Sequence, residues 1–166
     1  SSTDSAWLAA EMGLPYAFAG HFAPQMMETA FEIYHQNYQP SKEFPTPYTI
    51  ACVNGIAGET DEEAKKLSTT LYQAFTNLIR NDRKPYAPPV DDMDEIWNPM
   101  EKAHVQNMLK YSFVGSQETV KTQLKEFQRR FQVNEMMITS AIYEPEARIN
   151  SYAIFKNAVD ELNGSI

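Results

Sequence analysis

Apolar residues recur along this chain at two spacings, and the alternation between them lays out the elements. Met27, Ala30, Phe31, Tyr34 and Tyr38 fall three or four residues apart. So do Ala64, Leu67, Leu71, Phe75 and Leu78, and again Val120, Leu124, Phe127 and Phe131. Each set marks one face of an amphipathic helix. Between them stand short apolar runs at 14–19, 47–54 and 135–143. Their lengths, flanks and β-branched or aromatic content predict buried parallel strands.

Start and stop signals agree with that pattern. Residues 1–15 read Ser-Ser-Thr-Asp-Ser-Ala-Trp-Leu-Ala-Ala-Glu-Met-Gly-Leu-Pro, a helix opened by hydroxyl residues and an Asp and stopped by Gly13 and Pro15. Pro24 opens the second helix. Thr60 and Glu63 form a capping box for the third, and Ser116 caps the helix that carries Val120 to Phe131. Pro145 opens the last, with Ala147, Tyr152, Phe155, Val159 and Leu162 expected inward and Gly164 as its stop. Residues 83–99 lack sustained periodicity and hold four prolines with Asp91, Asp92, Asp94 and Glu95. They read as an excursion with one helical turn near 93–96, followed by a short helix over 99–109. Strands alternating with helices mean βα units and a parallel sheet. Three strands are too few to close a barrel, and an open sheet leaves edges to cover.

Composition narrows the function classes. The chain has 166 residues, 43% hydrophobic and 22% charged, as in an ordinary globular domain. Its net charge of −8 argues against nucleic acid as the main partner. No apolar run is long enough to span a membrane. One cysteine, Cys52, excludes an internal disulfide or a cysteine-based zinc site, and it suits a reducing, cytoplasmic setting. The acidic run at 91–95 lacks the glycine and ligand spacing of a calcium loop, so no metal is expected. A start without Met, already at a helix cap, reads as a processed or truncated product.

Four blocks carry a family likeness. They are Ser-Ser-Thr-x-Ser-Ala-x-x-Ala-Ala-x-x-Gly-Leu-Pro, then Tyr16-Ala17-Phe18-Ala19-Gly20-His21-Phe22, then Val114-Gly115-Ser116-x-Glu118-Thr119-Val120. The fourth is Val133-Asn134-Glu135-Met136-Met137 leading to Ile142-Tyr143-x-x-x-x-Arg148-x-x-Ser151-Tyr152. In this order they resemble the bacterial-luciferase-like flavin monooxygenases, although the family usually has Asp where Asn134 stands. The resemblance implies the C-terminal half of a (β/α)8 TIM barrel, with the three strands as its sixth, seventh and eighth. The whole of 1–166 is then one partial domain with the 83–99 excursion inside it. In such barrels the loops after the strands form the active face, here 1–5, His21-Phe22, 54–58 and 143–148.

By position in the motif, Ser1, Ser2 and Ser5 would hold the phosphate of FMN, and His21 and Phe22 would lie by the flavin ring or the substrate. Plain helix capping is the competing reading of the serines. Asp4 is expected to point outward, away from a phosphate. His21 is either a hydrogen-bonding or acid–base group or a loop residue without a role. Arg148 is expected to pair with Glu144 or Glu146. His35, His104 and Cys52 read as surface or packing residues. The implied activity is oxidation of an aldehyde or other small organic substrate by O2 and reduced flavin, a flavin reductase supplying the latter. A deazaflavin is the alternative cofactor. The competing class is a non-catalytic flavin-binding or self-associating half-barrel, paired as a homo-oligomer or with the absent N-terminal half. A barrel enzyme acting on a sugar phosphate is a third reading, against which the block at 14–22 counts.

Overall fold

The computed structural model describes residues 2–164. The elements follow in the order α1 (Thr3–Glu11), β1 (Tyr16–Ala19), α2 (Met27–Asn37), β2 (Thr49–Ala57), α3 (Asp61–Ile79), α4 (Pro99–Met108), β3 (Phe113–Gly115), α5 (Gln117–Phe131), β4 (Glu135–Thr139) and α6 (Pro145–Gly164). Single 3-10 turns sit at Pro24–Met26 and Met93–Glu95. The expected α/β half-barrel architecture is present, with every pairing parallel.

β2 is the hub of a four-stranded sheet. Its first half pairs β1, Thr49 beside Tyr16 and Cys52 beside Ala19. It pairs β4 from Ile50–Glu135 to Asn54–Thr139, and its last three residues pair β3. Periodicity gave three strands and ended β2 at Asn54. Gly55-Ile56-Ala57 continues the strand because Phe113-Val114-Gly115 supplies a partner. Three residues are too short to show alternation. At the other end, β4 stops at Thr139, where Ser140 turns away to donate its hydroxyl hydrogen to the Gly55 carbonyl.

Two apolar cores result. The larger places Tyr16, Phe18, Ala51 and Val53 of the sheet against Ala6 and Ala10 of α1, Phe31 and Tyr34 of α2, Leu124 and Phe127 of α5 and Phe155 of α6. Edge-to-face aromatic pairs run through it, such as Tyr16–Phe31 at 6.1 Å between centroids and Phe113–Phe127 at 5.5 Å. The opposite face of the sheet is open: Ala17 and Met137 are exposed and Ile50 and Cys52 half-buried. The smaller core joins Ile56 and Ile142 to Leu71 of α3, Met93 and Trp97 of the excursion and Val105 of α4. The excursion is thus packed, with Trp97 lying 5.6 Å from Tyr72.

α6 turns its stripe slightly from the expected face. It buries Ser151, Ile154, Phe155 and Ala158, whereas Tyr152 is 41% exposed. Ser151 and Tyr152 are occupied with the sheet instead. The Ala57 N–H donates to Ser151 Oγ at 2.8 Å, and the Ser140 N–H to the Tyr152 hydroxyl at 3.1 Å. α6 is thereby tied to the ends of β2 and β4.

Candidate functional site

The first turn of α1 is built by its own hydroxyls. Ser2 is the N-cap, its Oγ accepting from the Ser5 N–H at 3.2 Å, while Ser5 Oγ accepts from the Ser2 N–H at 3.3 Å. That reciprocal box supplies about 1 kcal/mol of helix stability. Tyr16, buried against α2, donates its hydroxyl to the Ser2 carbonyl at 3.0 Å and stands 3.3 Å from Ser5 Oγ. Burial pushes the Tyr16 phenol up, partly offset by its bond to Ser5. Asp4 is exposed, as expected. Ser1 lies outside the described residues.

A second cluster forms where the strands end. The Gly20–Ala23 turn leaves β1 and is held by β2: the His21 N–H donates to the Cys52 carbonyl at 2.7 Å, and Asn54 Nδ2 donates to the His21 carbonyl at 2.8 Å. Gly20 is required there, because a Cβ would come within 2.6 Å of Met27 Sδ and 3.0 Å of the Cys52 carbonyl. His21, Phe22, Asn54, Thr139 and Ala141 then floor an open cleft of about 400 Å³. Leu71, Phe75 and Leu78 of α3 form its apolar wall, and Arg83 and Tyr86 of the excursion its rim. Phe22 is 59% exposed. His21 Nδ1 is buried without any hydrogen-bond partner, a state that costs on the order of 1–3 kcal/mol.

Of the sequence-predicted site residues, His21 and Phe22 come together in this cleft, and Asn54 of the 54–58 segment joins them. Ser2 and Ser5 form their own cluster with Tyr16. Tyr143 and Arg148 do not line the cleft. Asn54, Thr139 and Tyr86 carry no sequence motif, and strand polarity pointed only to Asn54; Thr139 reaches the cleft because β4 ends there rather than at 143. The Arg148 pairing is corrected: its side chain is exposed and forms no ion pair among the described residues, while its backbone N–H bonds the Glu144 carbonyl, at 3.0 Å. On the first turn of α6, a free arginine in solvent gains little from such a pair.

The other motifs are structural. Ser116 stands at the N-cap of α5 without a side-chain cap bond. Its N–H instead donates to Asp61 Oδ1 at 2.6 Å and the Thr119 hydroxyl to Asp61 Oδ2 at 3.0 Å. These bonds, the Ser116 N–H first, lower the Asp61 carboxyl, and they lock the start of α3 to the start of α5. In the Thr60–Glu63 box, Thr60 caps Glu63 at 3.1 Å as expected, but Glu63 reaches back to the Glu59 N–H at 2.7 Å. The acidic run is solvated: Asp91 pairs with Lys66, and Asp94 with Lys102. No cluster of metal-ligating side chains occurs among the described residues. His35 packs beside Tyr34, and burial lowers its basicity.

The parallel strands, with a cleft and turns at their carboxyl ends, are those of a half-barrel of the TIM type. No family model matches it. It is 40% identical over 162 residues, 98% of the chain, to an uncharacterized protein YddN of Bacillus subtilis, and 38% identical over 164 residues to a luciferase-like monooxygenase of Escherichia coli K12. Among solved structures it superposes on apo-MsnO8 with a TM-score of 0.78 and 25% identity over 96% of the chain. It superposes on an FMN complex of the oxygenating constituent of 3,6-diketocamphane monooxygenase from Pseudomonas putida with a TM-score of 0.54 and 16% identity over 90% of the chain, a likeness of fold. The chain belongs to the luciferase-like monooxygenase family. It spans 48% and 49% of the two relatives' lengths, 49% of MsnO8 and 43% of the camphane enzyme.

Proposed function

We propose that this chain is the C-terminal, phosphate-holding half of an FMN-dependent monooxygenase that oxidises an aldehyde or other small organic substrate with O2. The observation that carries the reading is the first turn of α1. The N–H groups of Thr3 and Asp4 have no partner among the described residues, although the Ser2 and Ser5 hydroxyls beside them are satisfied. Unpartnered amides at a helix N-terminus, backed by the dipole, fit a phosphate dianion. Ser2 and Ser5 then hold the turn rigid and can turn their hydroxyls to the same anion. Ser1 is assigned beside them from the motif.

FMN, when bound, supplies the oxygen-activating chemistry. The chain's part is to hold the phosphate at α1 and to set His21 and Phe22 beside the flavin ring or the substrate. It also walls the cleft with Leu71, Phe75 and Leu78. FMN is the flavin in this reading, and a deazaflavin is the alternative that the same turn of α1 would accept. Partners in this reading are a flavin reductase and, across the open sheet face, the N-terminal half of the barrel or a second copy. The setting is cytoplasmic, and no described helix is long and apolar enough to cross a membrane.

Water exclusion is the missing requirement in the chain taken alone. Met137, on the open face, is 56% exposed, so a site bordering that face stays wet. The chain by itself therefore gives oxygen uptake no faster than free reduced FMN, with or without an aliphatic aldehyde. In a full-length parent, Ser2→Ala with Ser5→Ala weakens FMN binding about tenfold, as expected for losing hydrogen bonds to a charged group. Uptake faster than that of free reduced FMN with the chain alone overturns the claim that the other half is needed, and unchanged FMN affinity in the double variant overturns the phosphate assignment and leaves a capped half-barrel.

A further inference from the structure

The His21 ring holds the one buried side-chain nitrogen or oxygen without a partner among the described residues, its Nδ1. Nε2 is not among the buried, unpartnered atoms, and His21 lines the cleft. Orphaned buried N–H groups are rarer than unused acceptors. A neutral imidazole has one hydrogen to place. Set on Nδ1, it would be buried without an acceptor; set on Nε2, it avoids that burial.

We propose that His21 is fixed in the Nε2–H form as a hydrogen-bond donor to a carbonyl oxygen of the ligand in this cleft, with Asn54 as the residue that positions it. The backbone cannot relax to rescue Nδ1. Asn54 Nδ2 grips the His21 carbonyl at 2.8 Å, and the His21 N–H is spent on Cys52 at 2.7 Å. The N–H groups of Phe22 and Ala23 are both committed to the Ala19 carbonyl, at 3.2 and 3.1 Å. Gly20 leaves no room for a side chain. Asn54 is itself 6% exposed, so its amide is locked.

A carbonyl oxygen accepts and does not donate, which matches a group that offers only N–H. Phe22, Leu71, Phe75 and Leu78 suit the apolar remainder of a ketone or aldehyde. The proposal deepens the function proposed above and rests on its assignment of this cleft to the substrate. In that reaction His21 orients and polarises the substrate oxygen; it does not abstract a proton.

The test is long-range proton–nitrogen NMR of the nitrogen-labelled chain in mildly alkaline buffer, with the His21 signals assigned by their loss in His21→Phe. Nε2 is expected to be protonated and Nδ1 unprotonated. Cyclohexanone should shift the Nε2 signal and bind about fivefold tighter than its isostere methylenecyclohexane, the gain of one hydrogen bond. His21→Phe should abolish that preference. Asn54→Ala should average the two ring forms and shrink the preference. A hydrogen on Nδ1, equal affinities in the native chain, or a preference that survives His21→Phe overturns the proposal. If Asn54→Ala does not fold, the native spectrum and the ligand pair still decide. FMN, titrated last, reports separately: its failure to bind at α1 overturns the flavin reading and leaves the ring form and the carbonyl preference standing.

Discussion

Asn134 shows how a departure from a family motif can keep its job. Its Oδ1 accepts from the Thr49 N–H at 2.8 Å and stands 3.3 Å from the Thr49 hydroxyl, while its own N–H bonds the Thr49 carbonyl at 3.0 Å. Both side-chain contacts need an acceptor oxygen, which an amide provides as a carboxylate would. Ser151 is a stricter case. It is fully buried and serves the Ala57 N–H at the end of β2. Ser151→Ala strands that N–H, and chemical denaturation should register a loss of about 1–3 kcal/mol. A loss below about 0.5 kcal/mol, the lower limit for an ordinary hydrogen bond, would show that water replaces the hydroxyl. In the sequence, Ser151 was legible only as part of a motif, because one buried hydroxyl leaves no periodic trace.

At the scale of elements, the helices and three of the strands were legible and the shortest strand was not. α2, α3 and α5 bury the sequence-predicted residues Met27, Phe31, Leu71, Val120 and Leu124. β3 was missed, and so was the second buried face of α3, where Thr69, Thr70 and Thr76 are buried without being apolar. The excursion explains the first two of these: Thr70 donates its hydroxyl to the Ala87 carbonyl at 2.9 Å, and Thr69 Oγ1 accepts from the Val90 N–H at 2.9 Å. Hydrogen-bonded threonines under a strap look polar in any hydrophobicity count.

The far end of the strap is clamped by Arg80 and Glu101. The guanidinium makes two bonds to the carboxylate, at 2.7 and 2.8 Å, and a third to the Ile96 carbonyl at 2.8 Å. Arg80 first, and the Asn98 N–H second, bring the Glu101 carboxyl down from 4.5 to about 2. A depressed acid stabilises the fold fully above its ordinary value, and that contribution is lost as the pH falls through the folded value. Protection of the amides along 80–101, taken relative to their intrinsic exchange rate at each pH, should therefore fall from about pH 4.5 down to about 2, and Glu101→Gln should flatten this dependence. A variant with an unaltered pH profile would remove the clamp from the explanation.

For the molecule as a whole, the two cores divide the labour. The larger fastens the helices to one face of the sheet, and the smaller holds α3, the excursion and α4 over the carboxyl end of β2. The His21 cleft lies between these two bodies, which is why its apolar wall and rim come from α3 and the excursion. Strand polarity alone was enough to place His21, Phe22 and Asn54 at one end. The wall was not legible, because the path of α3 depends on tertiary contacts with β3 and the strap. The first turn of α1, proposed to hold the phosphate, was legible as a pattern. Its unpartnered amides became visible only once Ser2, Ser5 and Tyr16 were seen to satisfy one another.

The most direct measurement follows the backbone amides of Ser2, Thr3, Asp4 and Ser5 by NMR while FMN and then riboflavin are titrated in. If α1 holds the flavin phosphate, these amides shift saturably with FMN and hardly at all with riboflavin, which lacks the phosphate, even where a half-site binds weakly. Equal shifts with both flavins, or shifts only at distant residues, would contradict the assignment of this turn.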